Sequence, residues 1–328
     1  MNVRTYIVGP SEAGRTVGDW LRTRMSLAPE DVRRWLRQRR VYVAGVPCGD
    51  SSRRLQPGQR LEVRPPDAPM KSPKRPPPAP HAFGSPIEPV LVYSDAHIVV
   101  VDKPPSLTTM RHAEDVAEFG RHAWRYLPST LADLVPGLMQ KGRHGGPVHA
   151  RAVHRLDKDT SGLVVFARTV EAERNLGGQF RAHSTDRLYL AMVRGKARDG
   201  RIESVLVRDR GDGRRGSTAD PTADGQRAVT HVRVVEDLGD FALVECQLET
   251  GRTHQVRIHL GEAGAPLCGE RLYDRPVHGR PAPDGSGAKR ICLHAATLGF
   301  NHPATGERVR WTSPLPKDMH GLLEGMRR

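Results

Sequence analysis

The chain has 328 residues and a mass of 36.2 kDa, which is enough for one large domain and one small domain. A formal net charge of +14 and a pI of about 10.2 indicate a polyanionic partner, and nucleic acid is the obvious class. No apolar run is long enough to span a membrane and the N-terminus has no signal-peptide core, which argues against membrane and secreted proteins and predicts a soluble, cytoplasmic one.

Arginine dominates the basic residues, with 43 Arg against eight Lys. Arg makes bidentate contacts with phosphates and base edges that Lys cannot make. A GC-rich coding sequence would also favour Arg, and it explains most of the preference. It does not explain the net charge, so a nucleic-acid partner remains the better interpretation.

Residues 14–64 form the first predicted unit, with two short helices followed by two short strands. Apolar residues recur at helical spacing in two segments, which start at Val17 and at Val32. Ser26 or Pro29 would open the second helix. The strand VYVAG, a Pro-Gly turn and the strand RLEVR complete the unit.

The second predicted helix carries much of the basic charge of this unit. Residues 1–64 contain 13 Lys and Arg against six Asp and Glu. The segment RRWLRQRR contains five arginines and no acid, and we expect Arg33, Arg37 and Arg40 to share one face of the helix. A charged helix face is usually only solvated. Without an intervening acid, a phosphate-binding surface is the favoured interpretation.

This order of elements resembles the small α-L RNA-binding domain that occurs in a ribosomal small-subunit protein and in several RNA-modifying enzymes. In that family the second helix and the turn after it face RNA, which implies an RNA contact for Arg33, Arg37 and Arg40. We therefore expect residues 1–64 to be an α-L RNA-binding domain. The Pro-rich residues 65–87 predict a semi-extended linker that tethers this domain to the rest of the chain.

Residues 88–328 predict a second, larger domain of the α+β class, which would be the catalytic domain. Strand-like segments recur without strict βαβ alternation, which favours a mixed, largely antiparallel sheet with helices beside it. The stretch VEAERNLGGQFRAH is predicted to be helical. The strand-like segments are PVLVYSD, HIVVVDK, GLVVFAR, RLYLAMVRG, HVRVVED, ALVECQLET, QVRIHL and ICLHAATLGF. Residues 208–225 are polar and Gly-rich and predict a mobile loop.

Several kinds of site find no support in the sequence. Neither a P-loop nor a GxSxG elbow occurs. His254 and His259 form the densest histidine pair, but five positions apart they do not have the spacing of a zinc site. We predict no metal ion. The cysteines never form a Cys-x-x-Cys pair, and we expect these four to be small buried hydrophobic residues: Cys48, Cys246, Cys268 and Cys292.

The stretch VHRLDKDTSGLVVFAR combines a predicted core strand with charged residues immediately before it. Asp157 and Asp159 would point to the same side of an extended segment, and Arg155 would share that side. Such a carboxylate beside a guanidinium is either a structural salt bridge or a catalytic group. We interpret Thr160 to Gly162 as the turn that fixes Asp157, with Gly162 at positive φ.

A second block, LETGRTHQVRIHL, supplies Arg252 and Arg257 on an expected strand or strand edge. An arginine close to a carboxylate keeps that carboxylate ionised, which suits a nucleophile better than a general acid. Asp157 with nearby arginines is therefore the candidate reactive group.

These blocks resemble the signatures of the RluA-type pseudouridine synthases. VHRLDKDTSGLVVFA is similar to the HRLDxxTSGLLLFA motif of that family, and four further blocks agree in order: VYSDAHIVVVDKPPSL, RLYLAMVRG, LETGRTHQVRIHLGEAGAPLCGERLYD and LHAATLGFNHPATGE. The resemblance spans about residues 88–316. It implies the isomerisation of uridine to pseudouridine in structured RNA, with large-subunit ribosomal RNA as the favoured substrate and transfer RNA as an alternative.

The resemblance also implies roles for individual residues. Asp157 matches the essential aspartate, Tyr189 the tyrosine that packs against the target base, and Arg257 the basic residue paired with the aspartate. Arg155 matches the arginine that helps to fill the gap left by the flipped base, and flipping is needed because a stacked base hides its glycosidic bond. Arg252 and His254, the last two candidates, would contact RNA or shape the strand.

The attack of Asp157 on the ribose, its abstraction of a ribose proton and its addition to the base all remain open at this stage. The reaction is redox-neutral and releases nothing, so no cofactor is expected. A monomer is the default for a chain that carries its own RNA-binding domain. Two other classes compete with this interpretation. One is an RNA-binding factor that has lost catalysis. The other is a metal-dependent nucleic-acid hydrolase, for which the sequence supplies no set of metal ligands.

The chain departs from the family pattern in two places. Relatives often have Lys-Pro-x-Gly followed by a His, whereas this chain has KPPSLTTMRH. The conformation after Lys103 is therefore an open question. Many relatives also carry a Gly-Lys pair where this chain has GQRAVTH.

Overall fold

The computed structural model of the protein forms two compact units, residues 1–84 with 111–129 and residues 85–110 with 130–328. The predicted linker, residues 65–87, lies outside the described residues, so the predicted domain boundaries stay a prediction. No helix in the described part of the chain is long and apolar enough to cross a membrane. The structure describes residues 3–38, 40–64, 88–111, 127–140, 150–220, 222–275, 279–281 and 283–328.

The smaller unit packs two helices against a four-stranded antiparallel sheet of strand order β1-β4-β2-β3. Both helices occur where the sequence predicts them, and Pro29 opens the second one. The Thr16 Oγ1 caps the first helix by accepting a hydrogen bond from the Asp19 amide at 3.1 Å. The elements are β1 (Arg4–Ile7), α1 (Val17–Met25), α2 (Pro29–Arg37), β2 (Val41–Val43), β3 (Val46–Pro47) and β4 (Arg60–Val63).

The predicted face of three arginines on α2 is wrong for Arg40. The helix ends at Arg37, and Arg40 lies beyond it with its side chain buried. Its Nε donates to the Arg64 carbonyl at 2.9 Å, and its guanidinium lies 4.0 Å from the centre of the Trp35 ring. Arg40 therefore packs as part of the core of the smaller unit, whereas Arg33 and Arg37 are exposed.

The larger unit contains an eleven-stranded sheet among its described residues, with the path β11-β10-β12-β13-β9-β14-β8-β6-β5. All its pairings are antiparallel except that of β8 with β14, which confirms the predicted α+β class. Strand β7 pairs with β8, and β15 pairs with β14. The strands are β5 (Val90–Ser94), β6 (Ile98–Lys103), β7 (Arg151–Ala152), β8 (Ser161–Ala167), β9 (Asp186–Arg194), β10 (Gly200–Val207), β11 (Gly216–Thr218), β12 (Gln226–Asp237), β13 (Phe241–Leu248), β14 (Leu293–Asn301) and β15 (Arg308–Thr312).

Four helices accompany this sheet in the described residues: α3 (Leu131–Gln140), α4 (Val170–Arg181), α5 (Gln255–Glu262) and α6 (Lys317–Met326). Helix α4 was predicted, and Thr169 caps it. Apolar clusters fill both faces of the central strands β6 and β8. The four cysteines are buried and unbridged, as predicted.

The predicted strand QVRIHL is wrong, because this segment forms helix α5. Its apolar residues alternate with polar ones as in a half-buried strand, but the helix is buried on nearly all sides and so needs no apolar stripe. The buried side chain of Gln255 is satisfied by hydrogen bonds. Its Oε1 accepts from Thr250 Oγ1 at 2.7 Å, and its Nε2 donates to the Val229 carbonyl at 2.9 Å. Burial in the fold has therefore overridden local propensity.

The segment 208–225 is more structured than the predicted mobile loop. Strand β11 lies within it and pairs with β10. The buried guanidinium of Arg210 donates to Glu262 of α5 at 2.9 Å, and the Glu262 carboxylate also accepts from the Ser217 amide at 3.0 Å. The segment is thus attached to helix α5.

Candidate active site

A pocket of about 430 Å³ opens beside the start of β8 and the N-terminus of α5. Three separate parts of the sequence meet in it: the turn before β8, strand β9 and the segment that leads into α5. Six of the nine predicted site residues line this pocket: Arg155, Asp157, Tyr189, Arg252, His254 and Arg257. The other three, Arg33, Arg37 and Arg40, belong to the smaller unit.

Asp157 and Asp159 occupy different environments. The backbone turns at this point, since the Thr160 amide donates to the Asp157 carbonyl at 3.2 Å, so the alternation of an extended strand does not apply. Asp157 lines the pocket and Asp159 does not. The Asp159 carboxylate instead accepts a hydrogen bond from Ser106 Oγ at 3.3 Å. Asp157 is therefore the carboxylate available to a ligand in the pocket.

Gly162 is the second residue of β8, just after this turn, and has the predicted positive φ, at 113°. It pairs with Ala295 of β14 so closely that a Cβ at this position would lie 2.3 Å from the Ala295 carbonyl oxygen. Only glycine fits here. This close contact sets where the Asp157 turn leaves the sheet.

Arg257 joins Asp157 to a second carboxylate, that of Glu270. Its Nη1 lies 3.3 Å from Asp157 Oδ2, and its Nε and Nη2 donate to the two oxygens of Glu270 at 2.7 Å and 3.0 Å. The fork geometry fixes the guanidinium, which leaves one edge for Asp157. Burial lowers the pKa of Arg257, but the two carboxylates outweigh it and raise that pKa overall. Arg257 is therefore a permanent cation beside Asp157.

Glu270 was missed by sequence reasoning, although it lies in the family-like block GERLYD. Its carboxylate is almost completely buried and also accepts from the Leu272 and Tyr273 amides, the first at 2.9 Å and the second at 3.3 Å. Burial alone would raise the pKa of Glu270, but Arg257 and these amides lower it below the ordinary value. Glu270 therefore remains ionised and holds Arg257 in place.

His254 precedes α5 and has a left-handed backbone, with φ 60°. Its Nε2 lies 3.8 Å from Asp157 Oδ1, and its Nδ1 is 2.8 Å from the Tyr273 hydroxyl. Burial lowers the pKa of His254, and the Arg257 charge lowers it further against the opposing effect of Asp157. A neutral His254 can thus donate one hydrogen bond and accept another at the edge of the pocket.

Tyr189 and Arg187 both line the pocket from strand β9. Burial raises the pKa of Tyr189 to about 12, so its phenol is neutral and offers an aromatic surface with a hydroxyl. Arg187 was not predicted from the sequence. Its side chain is buried, and its Nη2 donates to the Glu249 carbonyl at 3.1 Å.

Lys103 secures the Asp157 turn from strand β6. Its buried Nζ donates to the carbonyls of Pro104, Leu107 and Lys158 at 2.9, 2.8 and 2.9 Å. Burial lowers the pKa of Lys103 to about 7, against the opposing effect of Asp159. The departure from the Lys-Pro-x-Gly pattern is accommodated without a glycine, because Ser106 adopts φ 63°.

A buried polar network secures the turn from the side of β14. Arg290 Nη1 donates to the Asp159 carbonyl at 3.1 Å, and its Nη2 donates to Ser161 Oγ at 3.3 Å. His294 Nδ1 lies 3.0 Å from the same hydroxyl. Because the backbone around Asp157 is held from two sides, its carboxylate has a defined position before any ligand arrives.

The metal-binding interpretation finds no support in the described part of the chain, where no cluster of three or more His, Cys, Asp or Glu side chains could hold an ion. His259, one of the two histidines considered, is buried in α5 between Ser204 Oγ and Thr230 Oγ1, at 3.0 Å and 2.9 Å. Its role is structural.

Comparisons with known proteins agree on one family. A family model described as RNA pseudouridylate synthase matches residues 97–262. An uncharacterized RNA pseudouridine synthase of Bacillus subtilis, YlyB, is 35% identical over 95% of this chain and 92% of its own. The ribosomal large subunit pseudouridine synthase D of Neisseria meningitidis serogroup A is 34% identical over 94% of this chain and 76% of its own.

Solved structures support the same fold. The human RNA pseudouridylate synthase domain containing 4 aligns with a TM-score of 0.56 and 24% identity, over 73% of this chain and 93% of its own. The likeness lies at the level of the fold. The family match and the curated relatives show that this chain belongs to the RluA-type RNA pseudouridylate synthase family and is an RNA pseudouridine synthase.

Proposed function

We propose that this enzyme isomerises one or more uridines of large-subunit ribosomal RNA, and that Asp157 is its nucleophile. The observation that carries the proposal is the carboxylate of Asp157 in the 430 Å³ pocket, paired with Arg257 at 3.3 Å. The names of the Neisseria relative and of several others specify the ribosomal large subunit, which supports the choice of RNA. The net charge of +14 agrees with a polyanionic substrate.

The pocket is of a size that suits a single nucleotide. Small-ligand pockets usually have volumes of about 300–1,000 Å³, and the 430 Å³ here falls in the lower part of that range. A uridine must leave its stack to enter such a pocket. Arg155 is exposed at the pocket, where it can occupy the space that the flipped base leaves in the RNA.

Each wall of the pocket then has a role. Tyr189 packs against the uracil ring, and Arg257 keeps Asp157 ionised and oriented toward the nucleotide. The carboxylate begins the isomerisation at the ribose or at the base, the glycosidic bond breaks, and the uracil turns before its C5 bonds to the ribose. His254 and Arg252 hold the RNA at the pocket edge. The nucleotide gains as many protons as it loses, so the reaction consumes no co-substrate.

We propose further that residues 1–64 act as an α-L RNA-binding domain and that the exposed Arg33 and Arg37 contact RNA phosphates. Arg40 is less suited to that role because it is buried. A cytoplasmic monomer without cofactor remains our expectation. Light scattering of the purified protein, alone and with RNA, would measure its oligomeric state.

The experiment that tests the proposal maps pseudouridines in the ribosomal and transfer RNA of cells that lack the gene. Complementation uses the wild type, Asp157→Asn or Asp159→Asn. We expect a discrete ribosomal site to disappear, and to return with the wild type and with Asp159→Asn but not with Asp157→Asn. The two variants lose the same charge two residues apart, so the comparison isolates the pocket. A site restored by Asp157→Asn would overturn the role of Asp157, and a site found only in transfer RNA would overturn the ribosomal substrate.

A further inference from the structure

One wall of the pocket is cationic, and we call its residues the arginine wall: Arg181, His183, Arg187 and Arg252. Asp157 is the one acidic side chain among the residues described as lining the pocket, and it lies beside Arg257 instead. Glu249 acts on the charge of His183 from outside the pocket, but its carboxylate is directed to His231 Nε2 at 2.7 Å. Within the described residues, no acidic side chain forms a hydrogen bond or an ion pair with a member of the arginine wall.

Arg187 is the most informative member of the wall. It is 8% exposed, and its Nη2 donates to the Glu249 carbonyl at 3.1 Å, while its buried Nε has no hydrogen-bond partner within the described part of the chain. A buried guanidinium with an unused donor is costly unless a ligand satisfies it. The backbone makes room for it at Gly251, where a Cβ would lie 2.2 Å from Arg187 Nη1.

Two other members, His183 and Arg252, lie in the same region as Arg187, and Arg181 lines the same pocket. Arg252 donates its Nε to the Arg227 carbonyl at 3.1 Å, which orients the side chain without neutralising it. Burial lowers the pKa of Arg187, and the charge of Arg252 lowers it further. The pKa of His183 is likewise lowered, by burial and then by Arg187 and Arg252. Arg187 and Arg252 repel one another, and an anion placed between them would relieve that repulsion.

We propose that the arginine wall is a subsite for one backbone phosphate of the RNA, next to the nucleotide that enters the pocket. This inference rests on the proposed function, because it assumes that the target base lies between Asp157 and Tyr189. Planar guanidinium groups bind phosphate oxygens through paired hydrogen bonds. A phosphate held at this wall would fix the strand on one side of the flipped uridine, and the binding energy would position the ribose over Asp157.

The test measures the affinity for an unmodified large-subunit ribosomal RNA transcript, over a series of KCl concentrations. All proteins carry Asp157→Asn so that the RNA is not altered during the measurement. Arg252→Gln and Arg181→Gln are compared with the control Arg174→Gln, which also removes one positive charge. Arg174 is exposed and lies outside the pocket, on the helix α4 that carries Arg181. Thermal unfolding checks that each variant is folded.

Arg252→Gln and Arg181→Gln should each raise Kd about tenfold. Each should also lower the slope of log Kd against log salt by about 0.7 to 0.9, the effect of one lost phosphate contact. The double variant should lower the slope by no more than a single contact, because both residues hold one phosphate. Values equal to those of Arg174→Gln, or a double variant with twice the loss, would overturn the single-phosphate subsite.

Arg187→Lys provides a second line of evidence, since it keeps the charge but loses the fork. We expect Arg187→Lys to bind RNA more weakly, with an almost unchanged salt slope. If it bound RNA as tightly as the Arg174→Gln control, the role of Arg187 would be contradicted. If Arg187→Lys does not fold, the two glutamine variants decide the outcome. These affinities do not depend on turnover, so a failure of the proposed catalytic role of Asp157 would appear separately in the pseudouridine map.

Discussion

Arg290 and Asp318 form a paired ion contact, with Nε to Oδ2 at 2.6 Å and Nη2 to Oδ1 at 3.1 Å. The same guanidinium donates to the Asp159 carbonyl and to Ser161 Oγ. The C-terminal helix α6 is thereby connected to the turn that carries Asp157, although the two segments lie far apart in the sequence. If Asp157 is the nucleophile, as we propose, this connection makes Arg290 a positioning residue.

Replacing Asp318 should therefore reduce catalysis without removing any group from the pocket. We expect Asp318→Asn to lower kcat about tenfold while KM changes less than threefold, because a small displacement of a catalytic group is costly. Steady-state kinetics on ribosomal RNA would measure both values. Glu324→Gln, on the same helix but paired with Arg327, is the matched control. Equal kinetics for the two variants would contradict the connection.

Glu270 should affect both stability and activity because it neutralises buried Arg257. Glu270→Gln leaves that guanidinium with Asp157 as its remaining acidic partner, and losing one partner of a buried pair costs about 3 kcal/mol or more. We expect the free energy of urea unfolding to fall by that amount and kcat to fall at least tenfold. The surface carboxylate of Glu236, which is paired with Arg327, offers the same substitution outside the pocket, and there the loss should be much smaller because surface ion pairs contribute little.

Two histidines, the half-buried His154 and the buried His259, predict the acid sensitivity of the fold. Burial lowers the pKa of His154 to about 3 and that of His259 to about 4. Both values lie below the unfolded value of about 6.5, so the unfolded chain binds more protons below that pH, and stability falls as the pH falls. Each histidine should remove about 1.4 kcal/mol per pH unit between pH 6 and pH 5.

The variant His154→Gln tests this assignment. The neutral His154 Nε2 accepts a hydrogen bond from the Val165 amide at 3.1 Å, and a glutamine oxygen can replace it without titrating. Urea unfolding at several pH values should give a slope that is shallower by about 1.4 kcal/mol per pH unit. The exposed His320 provides the control substitution. An unchanged slope would show that His154 does not titrate as its burial requires.

Ser106 offers a test of backbone strain next to the turn that carries Asp157. Its φ of 63° is in the left-handed region, which costs a residue with a side chain about 1 kcal/mol. Ser106→Ala and Ser106→Gly both remove the hydrogen bond to Asp159, but only glycine relieves the strain. We expect the glycine variant to be more stable than the alanine variant by about 1 kcal/mol in urea unfolding. An alanine variant at least as stable would mean that the left-handed conformation is not retained.

The sequence by itself determined the fold class and the family, and it singled out Asp157 as the candidate reactive carboxylate. Strand β8 and helix α4 have strong local patterns, and the motif around Asp157 is specific enough to recognise. Local pattern was misleading for α5, because a helix buried on all sides shows no amphipathic stripe, and for Arg40, which proved to be a core residue.

Only the tertiary structure decided which side chains surround Asp157. Arg257 lies 100 positions from it in the sequence, yet the two side chains are 3.3 Å apart. Glu270, Arg187 and Arg290 have no local pattern that distinguishes them from the many other charged residues of the chain. Their roles depend on burial and on partners from distant strands. Spacing along the chain carries information about neighbours on one element, whereas electrostatic partners are set by the packing of elements against one another.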